Sequence, residues 1–126
     1  MKAGGVQVLA DLFNCDPRLL NDRAVIDTAL STAAHAAGVT VVKQDVHAFD
    51  PHGFTGIAIL AESHLAIHTW PEHAYATVDI FTCGETARPD QAIDAVANIL
   101  GARTVTRCSL NRGEGVLAPL AEDTRP

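Results

Sequence analysis

The sequence is poor in aromatic residues, in basic residues and in long apolar runs. Aromatic residues make up 5% of its 126 positions, and 9 Lys and Arg stand against 15 Asp and Glu, for a formal net charge of -6. This balance disfavours a nucleic-acid binder, which needs a basic face. No apolar run approaches the roughly 20 residues that a membrane span requires. We therefore expect neither nucleic acid nor a membrane as a partner.

Cysteine is also scarce, with three residues, and the first residues, Met1 to Gly5, do not read as a secretory signal. An odd number of cysteines without such a signal indicates reduced thiols in a cytoplasmic protein. The 48% of hydrophobic residues is enough for one core in a chain of this length. The few aromatic residues gather near the middle of the chain, where they could line a site: Phe49, Trp70, Tyr75 and Phe81.

The hydrophobic patterns predict an α+β fold. A helix over about 22–37, with Asn21 or Asp22 as its cap, is favoured by its many alanines, and a second helix begins at Pro89 and runs to about Leu100. Alternating or β-branched residues predict strands over 6–13, 39–49, 55–61, 64–70, 74–82 and 103–110.

We expect these elements to form a two-layer sandwich, an antiparallel sheet with two helices on one face. A single domain should cover 1–110. The segment 111–126 has four Gly and Pro residues and little pattern, and is expected to be a flexible tail.

A zinc site is the first chemistry to consider, because His64, His68 and His73 precede Cys83. However, the stretch alternates like a strand, in which residues four apart are separated by about 13 Å. Two such histidines could not share one ion, so no metal is expected. The histidines elsewhere are expected on surfaces and in a turn: His35, His47 and His52.

Ser63 stands directly after Glu62, without the Gly-x-Ser-x-Gly elbow of many serine hydrolases. Taken alone, Ser63 could be a polar residue at a strand start, and Cys83 a small buried side chain. The ordered set is more specific: Glu62-Ser63-His64, then His68-Thr69-Trp70-Pro71-Glu72, then Thr82-Cys83-Gly84. It resembles the small prokaryotic form of S-adenosylmethionine decarboxylase, a pyruvoyl-dependent enzyme of polyamine synthesis, over roughly residues 5–110.

The resemblance implies that the chain is a proenzyme. In this family the serine hydroxyl attacks the preceding carbonyl and converts the amide between Glu62 and Ser63 into an ester. Beta-elimination then frees the N-terminal fragment, residues 1–62, and the new end of residues 63–126 loses ammonia to become a pyruvoyl group. Its ketone forms a Schiff base with the substrate amine and accepts the electrons released on decarboxylation. Pyridoxal phosphate, which does this elsewhere, is therefore not expected.

The same resemblance assigns the processing residues. Ser63 would become the pyruvoyl group, and His68 would handle the serine α-proton during the elimination. Thr55 stands where relatives commonly carry a serine that assists processing, and it keeps the hydroxyl.

Other positions match the family's substrate-handling residues. Cys83 would return a proton to the substrate α-carbon after decarboxylation. Glu72 would hold the ribose hydroxyls, and Phe49 would stack on adenine. Three places depart from the common pattern: Gln7 replaces a frequent histidine, Asp11 replaces a frequent glutamate, and His73-Ala74-Tyr75 varies a stretch close to Glu72.

The spacing predicts that one chain cannot complete the site. Ser63 and His68 are five residues apart in an extended segment, which separates their backbones by roughly 16 Å. The family is dimeric with shared sites, so we expect a homodimer. Ser63 and Cys83 of one protomer would meet four residues of the other: Thr55, His68, Glu72 and Phe49.

The resemblance thus predicts decarboxylation of S-adenosylmethionine to the aminopropyl donor for spermidine. Two alternatives stay open on the residues alone. The same pyruvoyl chemistry could act on another amino acid, such as arginine or ornithine. The chain could also be an uncleaved binding or regulatory module.

Overall fold

Within the residues that the structure describes, the fold is built from seven strands and three helices. The structure, a computed structural model, describes residues 3–61 and 63–125. The strands are β1 (Gly5–Phe13), β2 (Val41–Ala48), β3 (Phe54–Leu60), β4 (Ser63–Trp70), β5 (Tyr75–Thr82), β6 (Thr104–Arg112) and β7 (Pro119–Arg125). The helices are α1 (Pro17–Leu20), α2 (Arg23–Ala37) and α3 (Pro89–Leu100), and a short 3-10 turn covers Pro71–His73.

All seven strands form one antiparallel sheet in the order β2-β3-β4-β5-β1-β6-β7. Helix α2 packs on β2, β3 and β4, and α3 packs on β1 and β5. The predicted two-layer α+β sandwich, with two long helices on one face of an antiparallel sheet, is confirmed. The additional helix, α1, has four residues and lies against the 3-10 turn.

The core lies between the helices and one face of the sheet. Alternate residues of the central strands are fully buried there, for example Leu65 and Ile67 on β4 and Val8 on β1. The helices contribute apolar side chains such as Leu30 and Ile93 to the same core. This burial is the main favourable term that holds the two layers together.

Helix α2 shows how local sequence fixes an element. The Asp22 side chain accepts hydrogen bonds from the backbone N–H groups of Ala24 and Val25, which makes it the N-cap. Gly38 ends the helix in the left-handed conformation, with φ 74. Of the two predicted caps, Asn21 has a different task, because its side chain accepts from the N–H of Gly53.

The end of the chain differs from the prediction of a flexible, patternless tail over 111–126. Strand β6 continues to Arg112, and β7 pairs with it along the sheet edge. Gly113 and Gly115 have φ 99 and φ 92, so they shape the connection between the two strands. Pro119 is the first residue of an edge strand, a place where a missing N–H is tolerated. Edge pairing uses backbone groups, so it needs little side-chain pattern.

Among the described residues no helix covers the second face of the sheet, which we call the open face. Exposed apolar side chains collect there. On β1, β3 and β4 these are Leu9, Phe13, Ile57, Ile59 and Trp70, each about 40–50% exposed. Within the described residues, none of the helices is long and apolar enough to cross a membrane.

Candidate active site

A cavity of about 300 Å³ opens where β3, β4 and the 3-10 turn meet. We call it the β3–β4 pocket. Strands β3 and β4, the connection between β2 and β3, and the 3-10 turn all contribute residues to its lining. Its lining residues are Phe49, His52, Phe54, Thr55, His68, Thr69, Trp70 and Glu72. Four of the six predicted functional residues therefore lie around one cavity.

Thr55 and His68 are held together by strand register. They are direct cross-strand partners on β3 and β4, and the Thr55 hydroxyl oxygen lies 2.9 Å from Nδ1 of His68. This contact fixes the orientation of the imidazole ring. The second ring nitrogen, Nε2, is then the atom that can exchange a proton with another group.

Glu72 is paired with a histidine that the sequence interpretation placed in a turn. Nε2 of His52 lies 2.6 Å from Oε2 of Glu72. Desolvation raises the pKa of Glu72, but the hydrogen bond with His52 and the charges of His52 and His73 outweigh it, and the net pKa is lower than usual. Glu72 is therefore a carboxylate at neutral pH, able to accept hydrogen bonds from hydroxyl groups.

Aromatic rings continue from this pocket across the open face. Trp70 stacks on Tyr75 at 5.2 Å between ring centroids, and Tyr75 stacks on Phe13 at 5.3 Å. The Tyr75 hydroxyl donates to Asp11 at 2.6 Å. Burial, together with this hydrogen bond and the Asp11 charge, raises the pKa of Tyr75 to about 12. Asp11, one of the departures from the family pattern, thus has a partner in this chain.

Ser63 and Cys83 lie at the opposite end of β4 and β5. Ser63 is the first residue of β4, its hydroxyl donates to the Ala61 carbonyl at 3.4 Å, and Cys83 directly follows the last residue of β5. Because His64 pairs with Phe81, the start of β4 and the end of β5 are neighbours. Glu62, the other half of the predicted cleavage site, lies outside the described residues.

The strand geometry also separates the histidines that suggested zinc. His64 and His68 lie on β4, and His64 contacts Asp79 at 3.3 Å while His68 contacts Thr55. Gln7, the second departure, donates to the same Asp79 at 3.3 Å. Over residues 3–61 and 63–125, no three side chains of His, Cys, Asp or Glu are grouped as metal ligands.

The geometry therefore divides the predicted residues into two sets. Thr55, His68, Glu72 and Phe49 surround the β3–β4 pocket, whereas Ser63 and Cys83 are at the far end of the same strands. An extended strand places Ser63 roughly 16 Å from His68. We call these two groups of predicted residues the half-sites, and neither group contains all six residues.

The sequence profile of the S-adenosylmethionine decarboxylase family matches residues 6–113. The chain belongs to this family. It is 46% identical over 108 residues to the S-adenosylmethionine decarboxylase proenzyme of Prochlorococcus marinus (strain MIT 9313), which covers 86% of each chain. Against the proenzyme of Methanococcus aeolicus the identity is 40% over 116 residues, covering 92% of this chain and 99% of that one.

A solved structure agrees with this assignment. The crystal structure of the adenosylmethionine decarboxylase from Aquifex aeolicus superposes with a TM-score of 0.81 at 35% identity. The match covers 90% of this chain and 93% of that chain. Fold and sequence thus point to the same family over nearly the whole molecule.

Within this S-adenosylmethionine decarboxylase fold, the residue that sequence reasoning missed is His52. The segment Asp50-Pro51-His52-Gly53 predicts only a turn, and the partner of His52, Glu72, is 20 positions away. No local spacing rule connects positions so far apart in sequence. Trp70 also lines the pocket, and its place among the scarce central aromatics was the available signal.

Proposed function

We propose that this chain is a self-processing enzyme that decarboxylates S-adenosylmethionine to the aminopropyl donor for spermidine synthesis in the cytoplasm. Cleavage between Glu62 and Ser63 would create a pyruvoyl group from Ser63. The observation that carries the proposal is the convergence of Thr55, His68 and Glu72 on one pocket in a member of this family.

The residues support each stage of self-cleavage. The hydroxyl oxygen of Ser63 would bond to the carbonyl carbon of residue 62 as the amide C–N bond breaks, leaving an ester and a free amine. Removal of the Ser63 α-proton would then break the Cβ–O bond and release the carboxylate of residue 62. His68, oriented through Nδ1 by Thr55, is suited to move that proton through Nε2. Water would finally add to the carbon that carries the nitrogen, the nitrogen would leave as ammonia, and the ketone of the pyruvoyl group would remain.

The place of Ser63 fits a pyruvoyl group. Its side chain is half-buried at the start of a strand, beside the end of β5 where Cys83 follows. A pyruvoyl group supplies an electrophilic carbonyl that binds the substrate amine and withdraws electrons from the α-carbon that carries this amine. From this neighbouring position, Cys83 would return the proton to the substrate α-carbon. Phe49 and Glu72 would bind the adenine and ribose of the substrate.

A homodimer would complete the two half-sites. The exposed apolar side chains of the open face form the kind of surface that soluble monomers rarely leave uncovered. A twofold axis over this face would set one chain's Ser63 end against its partner's β3–β4 pocket. Two composite sites per dimer follow from that arrangement.

The deciding experiment compares wild-type protein with Ser63→Ala by denaturing gel and intact mass. Wild-type protein should give fragments of residues 1–62 and 63–126 and should release carbon dioxide from S-adenosylmethionine. Ser63→Ala should stay as one inactive chain, because no hydroxyl is available to attack the carbonyl. Ser109→Ala on β6 is the matched control and should be cut normally.

Other results would overturn parts of the proposal. Cleavage of Ser63→Ala would remove Ser63 as the source of the cofactor. Release of carbon dioxide from arginine or ornithine, but not from S-adenosylmethionine, would support pyruvoyl-dependent decarboxylation but show that the substrate is another amino acid. An intact wild-type chain would favour a binding module.

A further inference from the structure

The pair formed by His52 and Glu72 stands between two depressions. On one side is the β3–β4 pocket, and on the other is a groove of about 400 Å³ lined also by Pro17, Arg18 and Pro71. The two side chains are 33% and 40% exposed, and Nε2 of His52 contacts Oε2 of Glu72 at 2.6 Å. A contact this short between partly exposed groups holds the carboxylate in one orientation.

The histidine is itself held in place by its loop. The Phe49 N–H donates to the Gly53 carbonyl at 2.9 Å, and the Gly53 N–H donates to the Asn21 side chain at 3.2 Å. Gly53 has φ 97, and a Cβ there would lie 2.8 Å from the Thr69 carbonyl oxygen. The loop that carries His52 is therefore closed on itself between Phe49 and Gly53, and its C-terminal side is tied to Asn21 after α1 and, through the Phe54 N–H, to the Thr69 hydroxyl on β4.

We propose that His52 is a positioning residue that sets Glu72 for recognition of the vicinal hydroxyls of a ribose. The inference rests on the proposed function and deepens it. Nε2 of His52 donates a hydrogen bond to Oε2 and so fixes the plane of the Glu72 carboxylate. The remaining lone pairs of Glu72 accept hydrogen bonds from the ribose hydroxyls. A glutamate without this partner has several rotamers to lose on binding, which weakens affinity without changing the reacting centre.

This role predicts a change in KM rather than in kcat. His52→Leu removes the hydrogen bond and should raise KM for S-adenosylmethionine about tenfold, with kcat within about twofold of wild type. His52→Gln can place an amide N–H near the position of Nε2 and should restore most of the affinity. Self-cleavage should be complete in both variants, because the processing residues Ser63 and His68 are unchanged in both.

His73→Leu is the matched control. His73 lies on the same 3-10 turn and acts on Glu72 through its charge, whereas His52 also forms a hydrogen bond. His73→Leu should therefore leave KM within about twofold of wild type. An equal rise in KM for His52→Leu and His73→Leu would assign the effect to charge alone and overturn the proposal.

A substrate analogue that lacks both ribose hydroxyls shows whether His52 acts by positioning Glu72 or whether its substitution disturbs the whole pocket. Wild type and His52→Leu should handle this analogue with the same KM, because nothing remains for Glu72 to bind. An unchanged KM for S-adenosylmethionine in His52→Leu, or the same penalty with both substrates, would refute the role of His52. Absence of decarboxylation in wild-type protein would instead refute the proposed function, and the role of His52 with it.

Discussion

Thr55 and His68 are 13 positions apart in sequence and become a hydrogen-bonded pair because β3 and β4 pair in a register that sets them opposite each other. This register puts the Thr55 hydroxyl beside Nδ1 of His68. At this scale, chemistry depends on single atoms. A threonine in place of a serine keeps the donor oxygen, and its extra methyl restricts the rotamer.

We expect Thr55→Val to slow self-cleavage by at least about tenfold, because His68 loses the group that orients its ring. Thr55→Ser should cleave at about the wild-type rate. The rate can be followed as fragment formation on denaturing gels after synthesis in a cell-free system.

Thr77→Val supplies the control for this experiment. Thr77 lies on β5 and is the cross-strand partner of His68 on the other side of β4. Thr77→Val therefore removes a hydroxyl from the same face of the sheet. Its cleavage should be close to wild type. If both valine variants slow cleavage equally, the contact between Thr55 and His68 has no special part in processing.

At the scale of elements, most of the fold was predictable. Helix α3 occupies the predicted span, Pro89–Leu100, since proline at its first turn and glycine after its last are strong local signals. The strands around Ser63 and Tyr75 were placed within one residue of their observed starts, because alternation of apolar residues marks a half-buried strand. Strand β7 was missed, since its edge pairing depends on backbone groups of β6.

The cap of α2 is a test at this scale. Asp22→Ala removes the acceptor for two N–H groups and should lower the free energy of unfolding by about 1 kcal/mol. Asp22→Ser keeps a capping oxygen and should lower the free energy of unfolding by less than Asp22→Ala does. Urea unfolding followed by circular dichroism at one fixed protein concentration measures both. A loss as large for serine as for alanine would mean that capping is not the cause.

For the whole molecule, the two half-sites pose the main question. The sheet separates Ser63 from the β3–β4 pocket along β4, and it exposes apolar residues over the open face. Association through that face would bury the apolar surface and join the half-sites in one step. The proposed dimer would then be a requirement for activity.

Mixed dimers test whether the sites are shared. Ser63→Ala and His68→Ala should each be inactive alone, because neither homodimer can form the pyruvoyl group. In a dimer with one chain of each, one composite site carries both defects and the other carries none. We therefore expect co-expression of the two variants to restore roughly a quarter of wild-type activity, as random pairing gives half the dimers one intact site of two.

The control for this experiment is a mixture of the two proteins purified separately and assayed at once, before subunits exchange. It should stay inactive. No recovery after co-expression, with mixed dimers demonstrated by two affinity tags, would place each site within one chain.

The sequence by itself determined the strands other than β7, the ends of the two long helices, the sheet with helices on one face, and the family through the ordered Ser63, His68 and Cys83 segments. These features depend on neighbours within a few positions or on motif order. Only the tertiary structure decided that His52 holds Glu72, that Gln7 reaches Asp79 across 72 positions, and that β7 completes the sheet. Such contacts depend on strand register and loop anchoring, which bring distant residues within hydrogen-bonding distance.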